Sequence, residues 1–373
     1  MSAEEDIPEA DRVEGAPHPR ETFRLFGQDR AQADFLTAFT SGRLHHGWLI
    51  TGPRGLGKAT LAWTIARFLL ATPEQEEDGL FGAPPPPRDL LIDPEHPVAH
   101  RVHALSEPRL HLLRRSWDSK TKKLRSIITV EEVRALKRFF SLSSADGGRR
   151  VVIIDSADEM NPNAANAILK LLEEPPANTV LLMISHQPSR LLPTIRSRCR
   201  ELRLAPLGPE DMARALEQAG AQVAPQEAEA LAELSAGSVG EALRLLNLDG
   251  LKLYSDLVSL AGTLPRLDRP RAIALGESTA GKGREARLDL MLTLTDRLMA
   301  RLARVGVTGM PPRAEAAPNE AEVLRRLAPH PGAGRAWAQL AQDAGERARH
   351  ARAVNVDPAA LVLDLLLQMR KAG

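Results

Sequence analysis

The residues with the clearest chemical potential are Gly52-Pro53-Arg54-Gly55-Leu56-Gly57-Lys58-Ala59-Thr60, which complete the spacing G-x-x-x-x-G-K. They follow the apolar run Trp48-Leu49-Ile50 and precede Leu61-Ala62-Trp63-Thr64-Ile65-Ala66, a strand–loop–helix pattern. Glycines let backbone N–H groups turn inward around a phosphate chain, and the following helix adds its N-terminal dipole. Gly52, Gly55, Gly57 and Lys58 are therefore the candidate phosphate-binding residues, with Lys58 reaching the outer phosphates as a point charge. A hydroxyl for Mg²⁺ belongs directly after the lysine, and Ala59 stands there. Thr60 carries a hydroxyl one residue late, rotated by about 100° on a helix.

A second candidate group lies downstream. Val151-Val152-Ile153-Ile154 is a continuous apolar run ending in Asp155-Ser156-Ala157-Asp158. A run of this kind predicts a strand buried on both faces. Asp155 at its end suits an Mg²⁺-organising carboxylate. The next position, where a glutamate would orient an attacking water, is Ser156, a poor base at neutral pH. Val180-Leu181-Leu182-Met183-Ile184 predicts another buried strand, ending at Ser185-His186, with Ser185 able to touch a γ-phosphate or its water. The loop and Lys58 predict retained but weak binding of ATP or ADP; an empty loop held by its own backbone bonds stays open as the other reading. Mg²⁺ binding is not expected, because Ala59 lacks the hydroxyl.

The chain has 373 residues, with 43% hydrophobic and 26% charged residues and a net charge of +1. That allows two or three domains and excludes a global attraction to nucleic acid. Cys199 is the single cysteine, so no internal disulfide forms, and a reducing compartment is expected. No stretch approaches the roughly 20 apolar residues of a membrane span. The acidic, polar start does not suit a secretory signal.

Residues 1–20 are charged, contain proline and lack a period, which predicts a disordered tail. Phe35, Leu36 and Phe39 predict a short amphipathic helix over 31–40. His45 and His46 lack a third ligand at sensible spacing and are expected to be structural or exposed. The segment 73–127 reads as an insert. It holds Pro84-Pro85-Pro86-Pro87, a candidate strand at Leu90-Leu91-Ile92, and His96, His100, His103 and His111 without a cysteine. Arg114, Arg115, Lys120, Lys122, Lys123 and Arg125 surround Trp117, and both phosphate-backbone contact and a solvated loop stay open for them. Thr129 with Glu132 has capping-box spacing before a helix over 130–140. Another helix is expected over 161–172, and a last short strand at Leu202-Arg203-Leu204. From Gly208 the pattern turns helical: a small domain over 208–248, then helices near 251–260, 268–278, 285–302, 320–327, 334–349 and 358–369. Cys199 reads as a buried small residue, not a nucleophile.

Several stretches together resemble the delta-prime subunits of the bacterial DNA polymerase III clamp loader, within the AAA+ superfamily. They are Leu25–Gln28, Ser41–Trp48, Gly52–Thr60, Val151–Asp158, Asn163–Pro176 and Ser197-Arg198-Cys199, most specifically Asn166-Ala167-Ile168-Leu169-Lys170-Leu171-Leu172-Glu173-Glu174-Pro175-Pro176. The resemblance covers roughly residues 22–247 well; the remainder is similar in helical character and in Asn355-Val356-Asp357-Pro358. It implies a RecA-like α/β AAA+ domain over 21–207, a helical lid over 208–248 and an all-helical collar over 249–373. It also implies a cytoplasmic heteropentamer, associated with the replisome, of tau or gamma motor subunits, a delta subunit and this chain, which loads a sliding clamp at primer–template DNA. In such a subunit Arg198 is the arginine finger given in trans to a neighbour's ATP, and the chain hydrolyses ATP weakly or not at all. Gly240, in Gly237-Ser238-Val239-Gly240, stands where a motor subunit's lid carries an arginine. The alternatives are an active AAA+ ATPase or motor subunit, against which Ala59, Ser156 and Gly240 count, and a nucleic-acid-binding adaptor without a loader role. Many members carry a four-cysteine zinc module in the insert; this chain lacks those cysteines, and zinc is not expected.

Overall fold

The computed structural model describes residues 9–13, 15–72, 85–141, 148–354 and 356–372. They form two compact units: the residues up to Ala221 with Ser238–Gly240, and Gln222–Gly237 with Glu241–Gly373.

The first unit runs α1 (Asp29–Thr40), β1 (Gly47–Thr51), α2 (Lys58–Ala71), α3 (Pro97–His103), β2 (Leu110–Arg114), β3 (Trp117–Asp118), β4 (Lys123–Leu124) and α4 (Val130–Ser141). It continues with β5 (Arg150–Asp155), α5 (Pro162–Glu173), β6 (Thr179–Ser185), α6 (Pro193–Arg196), β7 (Arg200–Arg203) and α7 (Pro209–Gln218). Five strands form a parallel sheet in the order β2-β5-β6-β1-β7, and β3 pairs with β4 as a hairpin. Both faces are covered, which is why the strands read as unbroken apolar runs. Trp48, Ile50, Val151, Ile153, Leu182 and Ile184 pack with α1 and α2. Their neighbours Leu49, Val152, Ile154, Leu181 and Met183 pack with α4 and α5 on the other face, following the two-residue strand period.

Local signals explain several boundaries. Asn161 caps α5 by accepting the N–H of Ala164 at 2.8 Å, with Pro162 at the first helical position. Thr129 donates its N–H and its hydroxyl to Glu132 Oε2 before α4, so the glutamate half of the expected capping box forms. The buried Gln28 amide donates to Ala205 O at 2.7 Å and accepts the Ala205 N–H at 3.0 Å, fixing the chain as it leaves β7.

The second unit is all helical: α8 (Pro225–Leu234), α9 (Val239–Asn247), α10 (Gly250–Ala261), α11 (Arg269–Glu277), α12 (Glu285–Thr308), α13 (Glu320–Leu327), α14 (Pro331–Ala353) and α15 (Pro358–Ala372). The first two residues of α9 belong with the first unit. At the centre of the helical unit the fully buried Glu320 accepts the Tyr254 hydroxyl and pairs with Arg301 at 3.2 Å. No described helix is long and apolar enough to cross a membrane.

Three sequence expectations differ from this picture. Residues 9–13 and 15–20, expected to be disordered, are packed and hydrogen bonded; residues 1–8 and 14 lie outside the described residues. Leu90-Leu91-Ile92 is not a strand; one edge of the sheet is β2 instead, whose Leu113 is buried in the apolar cluster with Val133 and Leu136. Within the insert, His96 caps α3 by accepting the Val98 N–H at 3.1 Å. The helix α7, expected in the 208–248 lid, belongs with the α/β unit. Pro84 and the 146–147 turn lie outside the described residues.

Candidate functional site

The Gly52–Thr60 loop leaves β1 at the C-terminal end of the sheet. Gly55 and Gly57 hold φ of +77° and +88°, a left-handed geometry that side chains resist. A Cβ at Gly57 would stand 2.6 Å from Leu25 Cδ1. The loop is also in contact with a later segment. Ser238 Oγ donates to Arg54 O at 2.9 Å, and the Gly240 N–H donates to Gly55 O at 3.1 Å. A Cβ on Gly240 would lie 2.9 Å from Gly55 Cα, so this approach needs glycine on both sides.

Lys58 is buried and donates to Pro53 O within its own loop. Burial pushes its pKa down to about 8, partly opposed by Asp155 and Asp158. Ala59, the second residue of α2, packs against the apolar core. Thr60 is half-buried, and its carbonyl accepts the Thr64 hydroxyl at 2.9 Å.

Asp155 ends β5 close to this loop. Burial raises its pKa to about 7, with the negative charge of Asp11 adding to the rise and the Ser156 hydrogen bond and Lys58 opposing it. Ser156 Oγ donates to Asp155 Oδ1 at 3.0 Å and lies 2.9 Å from His186 Nε2. With its one proton given to Asp155, the serine accepts from His186, so the histidine proton sits on Nε2 and Nδ1 faces no partner among the described residues. Burial, with Lys58 and Arg54 close by, pushes His186 down to about 3 and keeps it neutral. Asp158 accepts the N–H groups of His186 and Gln187 at 3.0 and 3.2 Å. Glu159 pairs with Arg54 and with Arg115, each at 2.7 Å. Ser185, fully buried at the end of β6 in register with Thr51, has a hydroxyl without a partner among the described residues.

The fold thus gathers Gly52, Gly55, Gly57, Lys58, Thr60, Asp155 and Ser185 at one end of the sheet. The loop curvature, Lys58 and the unpartnered Ser185 hydroxyl fit a phosphate chain. A metal fits poorly: Ala59 supplies no oxygen, and a carboxyl with Asp155's raised pKa gives up its proton reluctantly. The Ser156–His186 pair, the Arg54–Glu159 bridge and the Gly240–Gly55 approach escape sequence reasoning, because nothing in the spacing joins residues so far apart.

Arg198 is elsewhere. It follows α6 and precedes β7, and its carbonyl oxygen lies 3.3 Å from a Cβ built on Gly47, the first residue of β1. The phosphate loop leaves the other end of that strand, roughly 16 Å away along five residues. The guanidinium is 39% exposed, pairs with Glu173 at 3.0 Å and donates to Thr194 O at 3.1 Å. Cys199 turns inward beside Met183, and burial raises its thiol to about 12, which suits packing rather than nucleophilic attack.

His45 and His46 stack at 4.4 Å and bond to the carbonyls of Gly47 and Leu172 at 2.8 and 2.9 Å. Among the described residues no group of three potential ligands could hold a metal ion. Of the basic run near Trp117, Arg114 pairs with Glu9 and Asp11 and Arg115 with Glu159, while Lys120, Lys122 and Lys123 stand exposed at or beside the β3–β4 turn.

A parallel sheet carrying a Gly-rich phosphate loop after β1, followed by an all-helical region, defines an AAA+-like α/β protein. A family profile described as DNA polymerase III, delta subunit, matches residues 27–208. Subunit delta′ of DNA polymerase III from Pseudomonas aeruginosa is 38% identical over 213 residues, spanning 55% of this chain and 56% of that one. The Bacillus subtilis delta′ subunit is 31% identical, spanning 60% of each. The tau subunit of Salmonella typhimurium is 27% identical, spanning 72% of this chain and 39% of that one. Over residues 27–208 the chain is similar to the bacterial DNA polymerase III clamp-loader subunits of the delta′, tau and gamma-like family. It spans less than two thirds of the length of these relatives. A gamma-subunit-related protein of Thermotoga maritima, 16% identical and spanning 91% of this chain and 99% of that one, superposes with a TM-score of 0.38, too loose to argue from.

Proposed function

We propose that the chain is a delta-prime-like stator of the clamp loader: it hydrolyses ATP weakly or not at all and lends Arg198 to the ATP of a neighbouring motor subunit. The single observation that supports this is the position of Arg198. It stands a strand's length from the chain's own phosphate loop, half-exposed, on a short helix end beside the start of β1. A guanidinium there is out of reach of a nucleotide on Lys58, and it meets one on another subunit by exchanging its Glu173 and Thr194 partners for phosphate. Such a fork neutralises charge as a γ-phosphoryl group departs. The chain's own cleft has no carboxylate at 156, no hydroxyl at 59 and no arginine at 240.

In this reading the partners are tau or gamma motor subunits and a delta subunit, acting on a sliding clamp at primer–template DNA. Residues 208–248 act as lid and 249–373 as the collar. ATP or ADP binds the chain itself weakly, on the N–H groups of the Gly52–Gly57 loop, Lys58, Thr60 and Ser185. The test is ATP hydrolysis by a reconstituted loader, with assembly checked by gel filtration. Arg198→Ala should assemble and lower clamp- and DNA-stimulated hydrolysis by at least the share of one composite site, since fingers of this kind are worth about 10³-fold or more at the site they serve. Lys58→Ala should change the rate little. An unaltered rate for Arg198→Ala beside a crippled Lys58→Ala would reverse the roles.

A further inference from the structure

The described residues between Glu9 and Thr22 fold back on themselves at the C-terminal edge of the sheet, Glu9 meeting Arg20 and Asp11 facing His18. At one end Glu9 Oε1 accepts from Arg114 Nη2 at 2.9 Å and from Arg20 Nη1 at 2.7 Å. The Asp11 carboxylate, with no side-chain exposure, pairs with Arg114 and lies 3.2 Å from His18 Nε2. Arg114 is the last residue of β2 and stands in register with Asp155, so this anchor sits at the sheet's C-terminal edge. At the other end His18 is fully buried, edge-on to Trp63 with ring centres 6.0 Å apart. Its Nδ1 accepts the Arg20 N–H at 3.0 Å, which leaves the Nε2 proton facing Asp11. Arg67 donates to Arg20 O and Thr22 O, each at 2.8 Å. Trp63 and Arg67 lie four residues apart on α2, the helix that begins at the phosphate loop, so one helix face holds this end. Between the anchors Val13 Cγ2 stands 3.7 Å from a Cβ built on Gly240, which itself rests on Gly55.

We propose that this segment is a built-in occupant of the chain's own nucleotide cleft: an acidic strap that competes with ATP or ADP. Two carboxylates, Glu9 and Asp11, hold Arg114, the residue in register with Asp155, at the edge where a polyphosphate would bring like charge. Val13, Gly240 and Gly55 close the span between. A nucleotide must therefore displace both ion pairs and part the Gly240–Gly55 contact. The inference rests on reading the Gly52–Thr60 loop as a nucleotide site and is independent of what Arg198 does.

The test uses the full chain and ATP. In wild type, millimolar ATP should speed tryptic cleavage after the exposed Arg12, because displacement frees the strap. The double variant Glu9→Gln/Asp11→Asn should be cleaved there faster without nucleotide and should bind ATP at least about tenfold more tightly by titration calorimetry. Asp29→Asn, which removes one negative charge on α1, should match wild type in both assays. Equal ATP affinity in wild type and the double variant overturns the proposal, as does failure of both to bind, since the strap is then not what excludes nucleotide. Should the double variant not fold, cleavage of wild type at Arg12 at one rate with and without ATP overturns it alone.

Discussion

Asp155→Asn tests whether the carboxyl at the end of β5 is held protonated. Its pKa rises from 3.8 to about 7, burial being the main cause. The folded state therefore binds a proton that the unfolded chain has released. This stabilising contribution is complete below pH 3.8 and is lost as pH rises toward 7. A shift from 3.8 to about 7 corresponds to about 4 kcal/mol in total, of which about 3 kcal/mol is lost between pH 4.5 and 7.5. Asparagine keeps an oxygen to accept the Ser156 hydroxyl and cannot ionise. The stability of wild type minus that of Asp155→Asn should thus fall by about 3 kcal/mol across that range. Taking the difference cancels groups that titrate equally in both proteins. Urea unfolding followed by tryptophan fluorescence reads it, since Trp48, Trp63 and Trp117 all lie in the α/β unit. A difference that stays flat from pH 4.5 to 7.5 would mean that Asp155 is already ionised against Lys58, and the argument from burial would be wrong.

Two further perturbations follow from single contacts. Gly55→Ala forces a side chain into a φ of +77° and against Ser238 Oγ, so the Ser238–Gly240 segment must move off the loop. The left-handed strain and two weakened hydrogen bonds predict a loss of about 2–4 kcal/mol in urea unfolding and faster exchange of the Gly240 amide; unchanged stability with unchanged exchange would refute the contact. Tyr254→Phe removes the hydroxyl that the buried Glu320 accepts in the helical unit. Leaving that carboxylate one donor short should cost about 1.5–3 kcal/mol, seen as a lower melting temperature, and an unchanged melt would show the hydroxyl to be dispensable.

The sequence made legible what short-range pattern controls. Apolar runs marked β5 and β6, the glycine spacing marked the phosphate loop, and the helix expected over 161–172 is α5. The boundaries of α13 match the expected 320–327. What stayed hidden depends on partners distant in the chain. His18, Glu9 and Asp11 read as polar and aperiodic, yet they pack because Arg114, Arg67 and Trp63 receive them. The strand β2 was hidden for the opposite reason: it is short and at an edge, with His111 inside it and Arg114 at its end, so its pattern resembles a loop. His186 was visible as the residue after a strand, but its bond to Ser156 requires β5 and β6 to be neighbours.

The three positions on which the proposed lack of hydrolysis rests are each used in packing. Ala59 lies against the core in the first turn of α2, Ser156 bridges Asp155 to His186, and Gly240 rests on Gly55. A longer side chain at 240 cannot coexist with that last contact, because its Cβ alone would stand 2.9 Å from Gly55 Cα. A carboxylate at 156 would replace the hydroxyl that links Asp155 to a neutral histidine, adding a second acid beside one already pushed toward protonation. Restoring any one group therefore disturbs an existing contact before it can serve chemistry. On this argument, a change at 59 or at 156 alone leaves Gly240 seated on the phosphate loop and should not by itself produce turnover.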